Sequence, residues 1–496
     1  MSDQPTAISI NGDAAASNRR RWAALVVLCV GQLMIVLDVT VVNVALPTIQ
    51  RELHFSQSSL AWVVNAYLLT FGGLLLLAGR LGDIVGRKRI FIGGMAAFVG
   101  ASFLCGLANS DAMLIGARFL QGAAAAFMAS MILGIIASTF GGPRERGRAM
   151  SVYAFVASSG GSIGLLVGGL LTEALNWHWI FFINVPIGIV TLVVALGLIE
   201  DTPGVGFRHG VDWGGAVLAV AAPTVAVWAI VHANQWGWAS ANTLGLFAVA
   251  VALAGAFLFL ESRVRNPLMP LSVFESRTRN VANVVRALFA VGLFGAFFVG
   301  ALFMQRVLGY SAIQVGFAFL PLNVTIGIFS LGIAARFMAR VGPKRALVLG
   351  LALSVVALLL FARMPAGASY ALDVLPPMLV FGLAAGIMFT PGVALSMAGA
   401  GRSNSGVVSG LANVTLQLGA ALGLAVIASV SSMRTGHLLA SGSSTSSALT
   451  GGYHVAFLIG AGSVALATLL AGFLLPSKIN LVPPTEAQRQ AEMAAA

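Results

Sequence analysis

Long apolar stretches separated by short polar clusters dominate the pattern of this chain. A helix needs about 20 apolar residues to cross the hydrocarbon of a bilayer. Runs of that kind lie near 22–47, 58–79, 90–108, 112–139, 150–172, 179–199, 214–233, 243–260, 281–305, 313–337, 345–363, 374–398, 408–432 and 453–475. Fourteen spanning helices are therefore predicted, and with them an all-α polytopic membrane protein. The first run follows a polar stretch ending in Arg19-Arg20-Arg21 and continues for more than 20 residues, which predicts an uncleaved first span and no cleavable signal. Between Met433 and Gly452 the chain is rich in Ser and Gly, and a flexible loop is expected there.

Composition agrees with a membrane as the solvent. Of 496 residues, 58% are hydrophobic and 9% charged, against about 25% charged in ordinary soluble domains. The 58 glycines suit closely packed membrane helices. Cys29 and Cys105 both lie in apolar runs, where packing is expected in place of a disulfide or metal site.

The formal charge of +12 is explained by where the basic residues stand. With the N-terminus cytoplasmic, twenty-two of the 28 Lys and Arg fall in the tails and cytoplasmic loops, including Arg208, Arg402, Lys478 and Arg489. Only Arg51, Arg306, Arg363 and Arg434 fall on the other side, and Arg118 and Arg286 lie inside spans. The asymmetry places both termini in the cytoplasm and makes the basic character topological, so nucleic-acid binding is not expected. The turn Gly86-Arg87-Lys88-Arg89 between spans 2 and 3 recurs as Gly342-Pro343-Lys344-Arg345 between spans 10 and 11. If the two correspond, residues 22–200 and 266–476 are six-helix halves, 201–265 holds two inserted helices, and 1–21 and 477–496 are cytoplasmic tails. Parallel halves with a cavity between them at mid-membrane are a recurrent transporter plan.

Of the sixteen acidic residues, fifteen fall in tails, in loops or at span ends; among them are Asp3, Glu486 and Glu492 in the tails. Asp38 alone lies deep in a span. A carboxylate there costs several kcal/mol, about 3 on insertion scales, unless it is paired, wetted or protonated. It is therefore a candidate for exchanging protons as a cavity faces each side in turn. Asp38 sits roughly 13 Å and Arg118 roughly 10 Å below the same end of their spans, so a direct or water-mediated pair is expected. Arg286 lies near a span end and is expected to reach out to the interface. The six histidines, His209 among them, lie in loops or near span ends, and no span carries a His–acid or Ser–His–Asp arrangement. A metal site, a cofactor and a hydrolase are not expected.

The segment Gly79-Arg80-Leu81-Gly82-Asp83-Ile84-Val85-Gly86-Arg87-Lys88-Arg89 resembles the signature of the major facilitator superfamily. Leu37 to Pro47 is similar to the first-span motif of its fourteen-helix drug/proton antiporters, and Leu114 to Ala126 to its fourth-span motif, which includes Arg118, Gln121 and Gly122. Trp62 to Tyr67, Asn184 to Gly188, Gln305 to Ser311 and Gln417-Leu418-Gly419 also look like this branch. The resemblance implies a gating role for Gly79, Asp83, Gly86, Arg87 and Lys88, and proton coupling at Asp38 and Arg118. Two departures stand out. The span-5 motif keeps Gly160, Gly164, Gly168 and Gly169 for helix packing but has Leu165 where the family has proline, and His178 stands where arginine is usual.

Asn43, Asn65, Tyr67, Gln121, Asn413 and Gln417 are candidates for a substrate cavity. The resemblance implies a monomeric multi-pass transporter of the cytoplasmic membrane that exports small lipophilic drugs, dyes or antibiotics in exchange for protons. Spans 9–14 contain no acidic residue, which predicts neutral or monocationic cargo over dications. Export of lipids or cell-envelope precursors, and facilitated transport without proton coupling, remain alternatives.

Overall fold

The computed structural model describes residues 8–476, apart from 57, 141, 202–203, 205, 207–210 and 401–404. Arg208, His209, Arg402, Lys478, Arg489, Asp3, Glu486 and Glu492 lie outside the described residues, as does the tail 477–496. The described residues are mainly helical: α1 (Ile8–Glu52), α2 (Trp62–Val85), α3 (Arg87–Gly106), α4 (Asp111–Thr139), α5 (Pro143–Ala174), α6 (Trp179–Phe182) and α7 (Asn184–Leu198) come first. They are followed by α8 (Trp213–Trp236), α9 (Ala241–Arg263), α10 (Arg277–Arg306), α11 (Ala312–Ala318), α12 (Leu320–Ile328) and α13 (Ala334–Val341). The last four are α14 (Pro343–Phe361), α15 (Leu375–Ser396), α16 (Ser405–Ala440) and α17 (Thr445–Leu474).

Thirteen helices among the described residues are long and apolar enough to cross a membrane. The expected tenth span, 313–337, is present in segments. Pro321 sits in the first turn of α12, where it lacks the N–H that would carry the ladder on from α11, and a single π-helical turn, Phe329–Ile333, separates α12 from α13. The loop expected between Met433 and Gly452 is mostly helix. Helix α16 runs on to Ala440, and the Ser444 side chain accepts from the Ser447 backbone N–H to start α17 one short turn later. The serines there act as a cap and as surface positions, and they do not break the helix.

Polar caps begin several of the spans. Ser110, Asp212, Ser240, Ser276 and Ser311 each accept from a backbone N–H at the start of their helix, and Ser311 and Gln314 form a reciprocal capping box. The two glycine-plus-basic turns share one build. Gly86 (φ 112°, ψ 134°) joins α2 directly to α3, and Gly342 (φ 87°, ψ 155°) joins α13 directly to α14, conformations that favour glycine.

Helices α1–α7 pack mainly on one another, α10–α17 do likewise, and the α8–α9 hairpin lies against α2 and α16. The hairpin is anchored at its ends: buried Asp212 caps α8, and buried Glu261 accepts from the Met269 N–H at 3.0 Å, tying α9 to the segment that leads into α10. One end of the bundle, the basic end, carries Arg20, Arg21, Arg87, Lys88 and Arg89. At the opposite end the two groups close on each other. Gln305 of α10 donates to the Val44 carbonyl of α1 at 2.9 Å, and Glu173 at the end of α5 accepts from the Ile313 N–H of α11 at 3.2 Å.

The glycine stripe of α5 makes this closure feasible. A Cβ on Gly160 would meet Val36 at 2.9 Å and one on Gly168 would meet the Val41 backbone at 2.8 Å, so this face lies flat on α1. Gly169 lies on the other side, against Ala312 and Ile313 of α11, and fully buried Leu165 rests its carbonyl on Gly316. Helix α5 is thus seated on both groups, with no proline kink where Leu165 stands. Replacing Gly168 with leucine should prise α5 from α1 and cost about 1–3 kcal/mol, the usual range for overpacking. Thermal unfolding in detergent should show a clear drop for Gly168→Leu and none for Gly197→Ala, whose added Cβ meets nothing within 4 Å.

Candidate functional site

The first group of helices encloses a charged network in an otherwise apolar interior. Asp38 on α1 (0% exposed) and Arg118 on α4 (1% exposed) form a direct ion pair, as their matched depths predict. Arg118 and Gln121 stand three residues apart and so share one face of α4. That face looks onto α1 and α3. Arg118 Nη1 donates to Asp38 Oδ2 and also to Gln121 Oε1 at 2.7 Å. Its Nε donates to the Val63 carbonyl of α2 at 2.8 Å. Gln121 Nε2 donates to Asp38 Oδ1 at 2.6 Å and to Ser102 Oγ of α3 at 2.8 Å, while Cys105 Sγ lies 3.4 Å from Gln121 Oε1. The network settles the amide orientation, because a flipped Gln121 would turn its NH₂ toward the guanidinium.

Both carboxylate oxygens accept a hydrogen bond, and the guanidinium has an aromatic floor. Arg118 lies 4.5 Å from the centre of the Tyr67 ring and 5.8 Å from that of Phe181, within cation–π range. Tyr67 in turn stacks on Phe71. Four spans thus converge on one buried pair of opposite charges. Ser102 and Cys105 were not singled out by sequence reasoning as members of this site. Their signal was a polar pair at i, i+3 in a span otherwise apolar, which only the rotation of α3 connects to Gln121.

The other candidate residues are spread more widely. Asn43 is buried on α1 and donates to the Val39 carbonyl of its own helix at 3.2 Å. Asn65 is fully buried with both amide atoms unpaired, as is Asn184 of α7, and the Tyr67 hydroxyl also lacks a partner. Gln417 of α16 lies half-buried against Gly72 of α2, at the seam between the two groups, and Asn413 is exposed. The structure therefore brings Asp38, Arg118, Gln121 and Tyr67 together, and it does not gather Asn413 with them.

At the α2–α3 turn, Arg87 pairs with Asp83 at 3.5 Å and donates to the Gly134 carbonyl of α4 at 3.0 Å. Lys88 donates to the Leu196 carbonyl of α7 at 2.9 Å, and Gly79 and Gly86 lie on the same stretch of backbone. These contacts all stay within the first group. Arg286 corrects an expectation. It does not reach the interface but is 5% exposed, and its Nη1 donates to the Ala412 carbonyl of α16 at 3.1 Å. The reason is rotational: position 286 shares the inward face of α10 with buried Ala282, Phe289, Ala290 and Leu293.

A multi-pass helical bundle with a buried acid–base pair between its spans is the build of a membrane transporter. The sequence model of the Major Facilitator Superfamily matches residues 28–424, and the chain belongs to that family. It is a transporter and not an enzyme. It is 36% identical over 494 residues to the puromycin resistance protein of Streptomyces alboniger, covering 98% of each chain. It is 35% identical over 469 residues to the cephamycin export protein of Amycolatopsis lactamdurans, covering 93% of this chain and 94% of that one. The tetracenomycin C resistance and export protein of Streptomyces glaucescens is 33% identical over 437 residues, 88% of this chain and 80% of that one. Among solved structures, the nucleoside transporter NupG superposes with a TM-score of 0.65 at 13% identity, covering 92% of this chain and 100% of that one. An auto-inhibited POT family peptide transporter superposes with a TM-score of 0.65 at 16% identity, covering 94% and 99%. These two likenesses concern the fold alone.

Removing one partner of a buried pair leaves the other charge uncompensated, at a cost of about 3–5 kcal/mol. Asp38→Ala and Arg118→Ala should each lower stability by that order, and the double variant by clearly less than the sum. Unfolding of the four proteins in detergent closes the cycle, and additive losses would mean the two side chains do not interact.

Proposed function

We propose that the protein is a proton-coupled antiporter that exports small lipophilic compounds, neutral or singly cationic, across the cytoplasmic membrane. The observation that carries this reading is the Asp38–Arg118 pair, an acid held mid-span on an arginine that cannot give up its own proton. A proton arriving on Asp38 Oδ2 would place an O–H donor against the N–H donor of Arg118. Loading therefore requires the pair to part, and parting means that α1 and α4 shift relative to each other. Proton binding and helix rearrangement become one event, as an alternating-access cycle requires.

In this reading the basic end faces the cytoplasm, following the Lys and Arg asymmetry, and the groups 22–200 and 266–476 rock about the seam, with 201–265 as an inserted pair. The closure of α5 on α11 and of α10 on α1 is then the outer gate, sealed while the cavity faces the cytoplasm. Asp83 with Arg87 belongs to the inner gate. Supporting export of drug-like cargo, the puromycin, cephamycin and tetracenomycin C proteins named above align over most of both chains. A single charge on the cargo is the limit because the spans of the second group offer no mid-span acid among the described residues; Asp373 stands in the first turn of its span and already accepts from the Ser369 N–H.

Proteoliposomes carrying a pH gradient and a monocationic dye such as ethidium test the mechanism. Wild-type protein should drive dye transport that an uncoupler collapses, and Asp38→Asn should abolish the gradient-driven component. Undiminished proton-driven transport by Asp38→Asn, or phospholipid flux with no dye transport at all, would overturn the reading. Cells producing the protein should also tolerate ethidium and remain as sensitive as controls to bisquaternary dications; strong dication resistance would contradict the assigned charge limit.

A further inference from the structure

Away from the charged network, a cavity of about 700 Å³ lies between α10, α16 and α17. Apolar side chains line most of it, among them Leu288, Val291, Leu418, Leu422 and Ile459. Its rim is open on the surface, where Val284 is 50% and Phe274 39% exposed. No charged side chain lines it. Toward the basic end of α10 it holds two carboxamides, Asn280 and Asn283, three residues apart and so on one face.

These amides are not spent on the protein. Asn283 is 4% exposed, and neither its Oδ1 nor its Nδ2 has a hydrogen-bond partner. Asn280 Nδ2 donates to the Phe274 carbonyl, but its Oδ1 is buried and unpaired. The two hydroxyls of the lining are already committed, Thr415 to the Leu411 and Ala412 carbonyls and Ser463 to the Leu288 carbonyl. The apolar cavity therefore presents two free acceptors and one free donor at one end. Leaving them unpaired in a dry site is costly, and apolar neighbours alone would not explain two amides there.

We propose that this groove binds an uncharged lipophilic molecule carrying an N–H or O–H donor, admitted sideways from the membrane as cargo awaiting export. The proposal rests on the export reading and narrows it to neutral cargo at this site. A charged ligand would be buried without a counter-ion. The acyl chain and ester head of a phospholipid would fill the apolar length but offer acceptors only, leaving Asn280 Oδ1 and Asn283 Oδ1 unpaired. A lipophile with two N–H or O–H hydrogens and an acceptor oxygen beside them, as in a primary sulfonamide, matches all three atoms, whichever way the Asn283 amide is turned.

Full-length protein in phosphatidylcholine nanodiscs, titrated with the uncharged fluorophore dansylamide, tests the site. Saturable enhancement is expected for wild type, with about tenfold weaker binding to Asn283→Leu and none to Val291→Trp, which fills the groove. The N,N-dimethyl sulfonamide analogue, which lacks the N–H, should bind wild type no better than dansylamide binds Asn283→Leu. Equal affinity of wild type and both variants, or equal affinity for the analogue, would overturn the proposal, the second result marking a simple acyl-chain groove. Binding is read without a gradient. Its loss alongside intact proton-driven export would remove this site and leave the transport reading standing, while saturable binding without gradient-driven export would do the reverse.

Discussion

Burying a charge in a low-dielectric interior is tolerated only when its partners are close and its hydrogen bonds complete, and much of the first group of helices is arranged around that requirement. Asp38 and Arg118 neutralise each other, Gln121 bridges them, Ser102 and the Val63 carbonyl take up remaining donors, and Tyr67 supplies the floor. These groups come from four different spans, so the network ties together the rotations of α1, α2, α3 and α4. In the proposed cycle, a change in the charge of Asp38 would be felt by all four of these helices. A buried ion pair contributes little net stability compared with well-packed apolar residues; in the proposed antiport its value would lie in making two arrangements of the bundle distinguishable by one proton.

The rest of the fold gives those arrangements something to move. Helix α5 lies flat on α1 through its glycine stripe and meets α11 on its other side, so motion of α1 is passed to the contact between the two groups. Leu165 stands in α5 where the motif it resembles has proline, so α5 has no proline in its interior. The segmented tenth span, interrupted by Pro321 and by a π-helical turn, is the counterpart with the most broken backbone ladder.

The order of the spans and thirteen of the fourteen predicted were legible in the sequence, because an apolar run of about twenty residues suits a membrane span and little else; the tenth is segmented. The Asp38–Arg118 pair was legible too, since depth along a helix depends only on residue count. Rotation about each helix axis could not be read. In a membrane both the lipid-facing and the inward positions are apolar, so hydropathy does not say which way Arg286 or Asn283 points. Arg286 was expected at the interface and instead meets a carbonyl inside the second group. The link from Ser102 and Cys105 to Gln121 could not be read for the same reason. The stretch from Met433 to Gly452 misled by composition: serine and glycine break helices in water, but at the end of a packed span the ladder continues to Ala440, and Ser444 caps α17.

In the proposed antiport the side chain of Asp38 itself gains and loses a proton during transport. Infrared difference spectroscopy on purified protein carrying isotope-labelled aspartate measures this directly, by comparing cargo-bound and cargo-free states. A carboxyl C=O band should appear or vanish with cargo exchange, shift with the label, and be missing in Asp38→Asn. The same difference band in Asp38→Asn, or no carboxyl band in the wild-type protein, would contradict it.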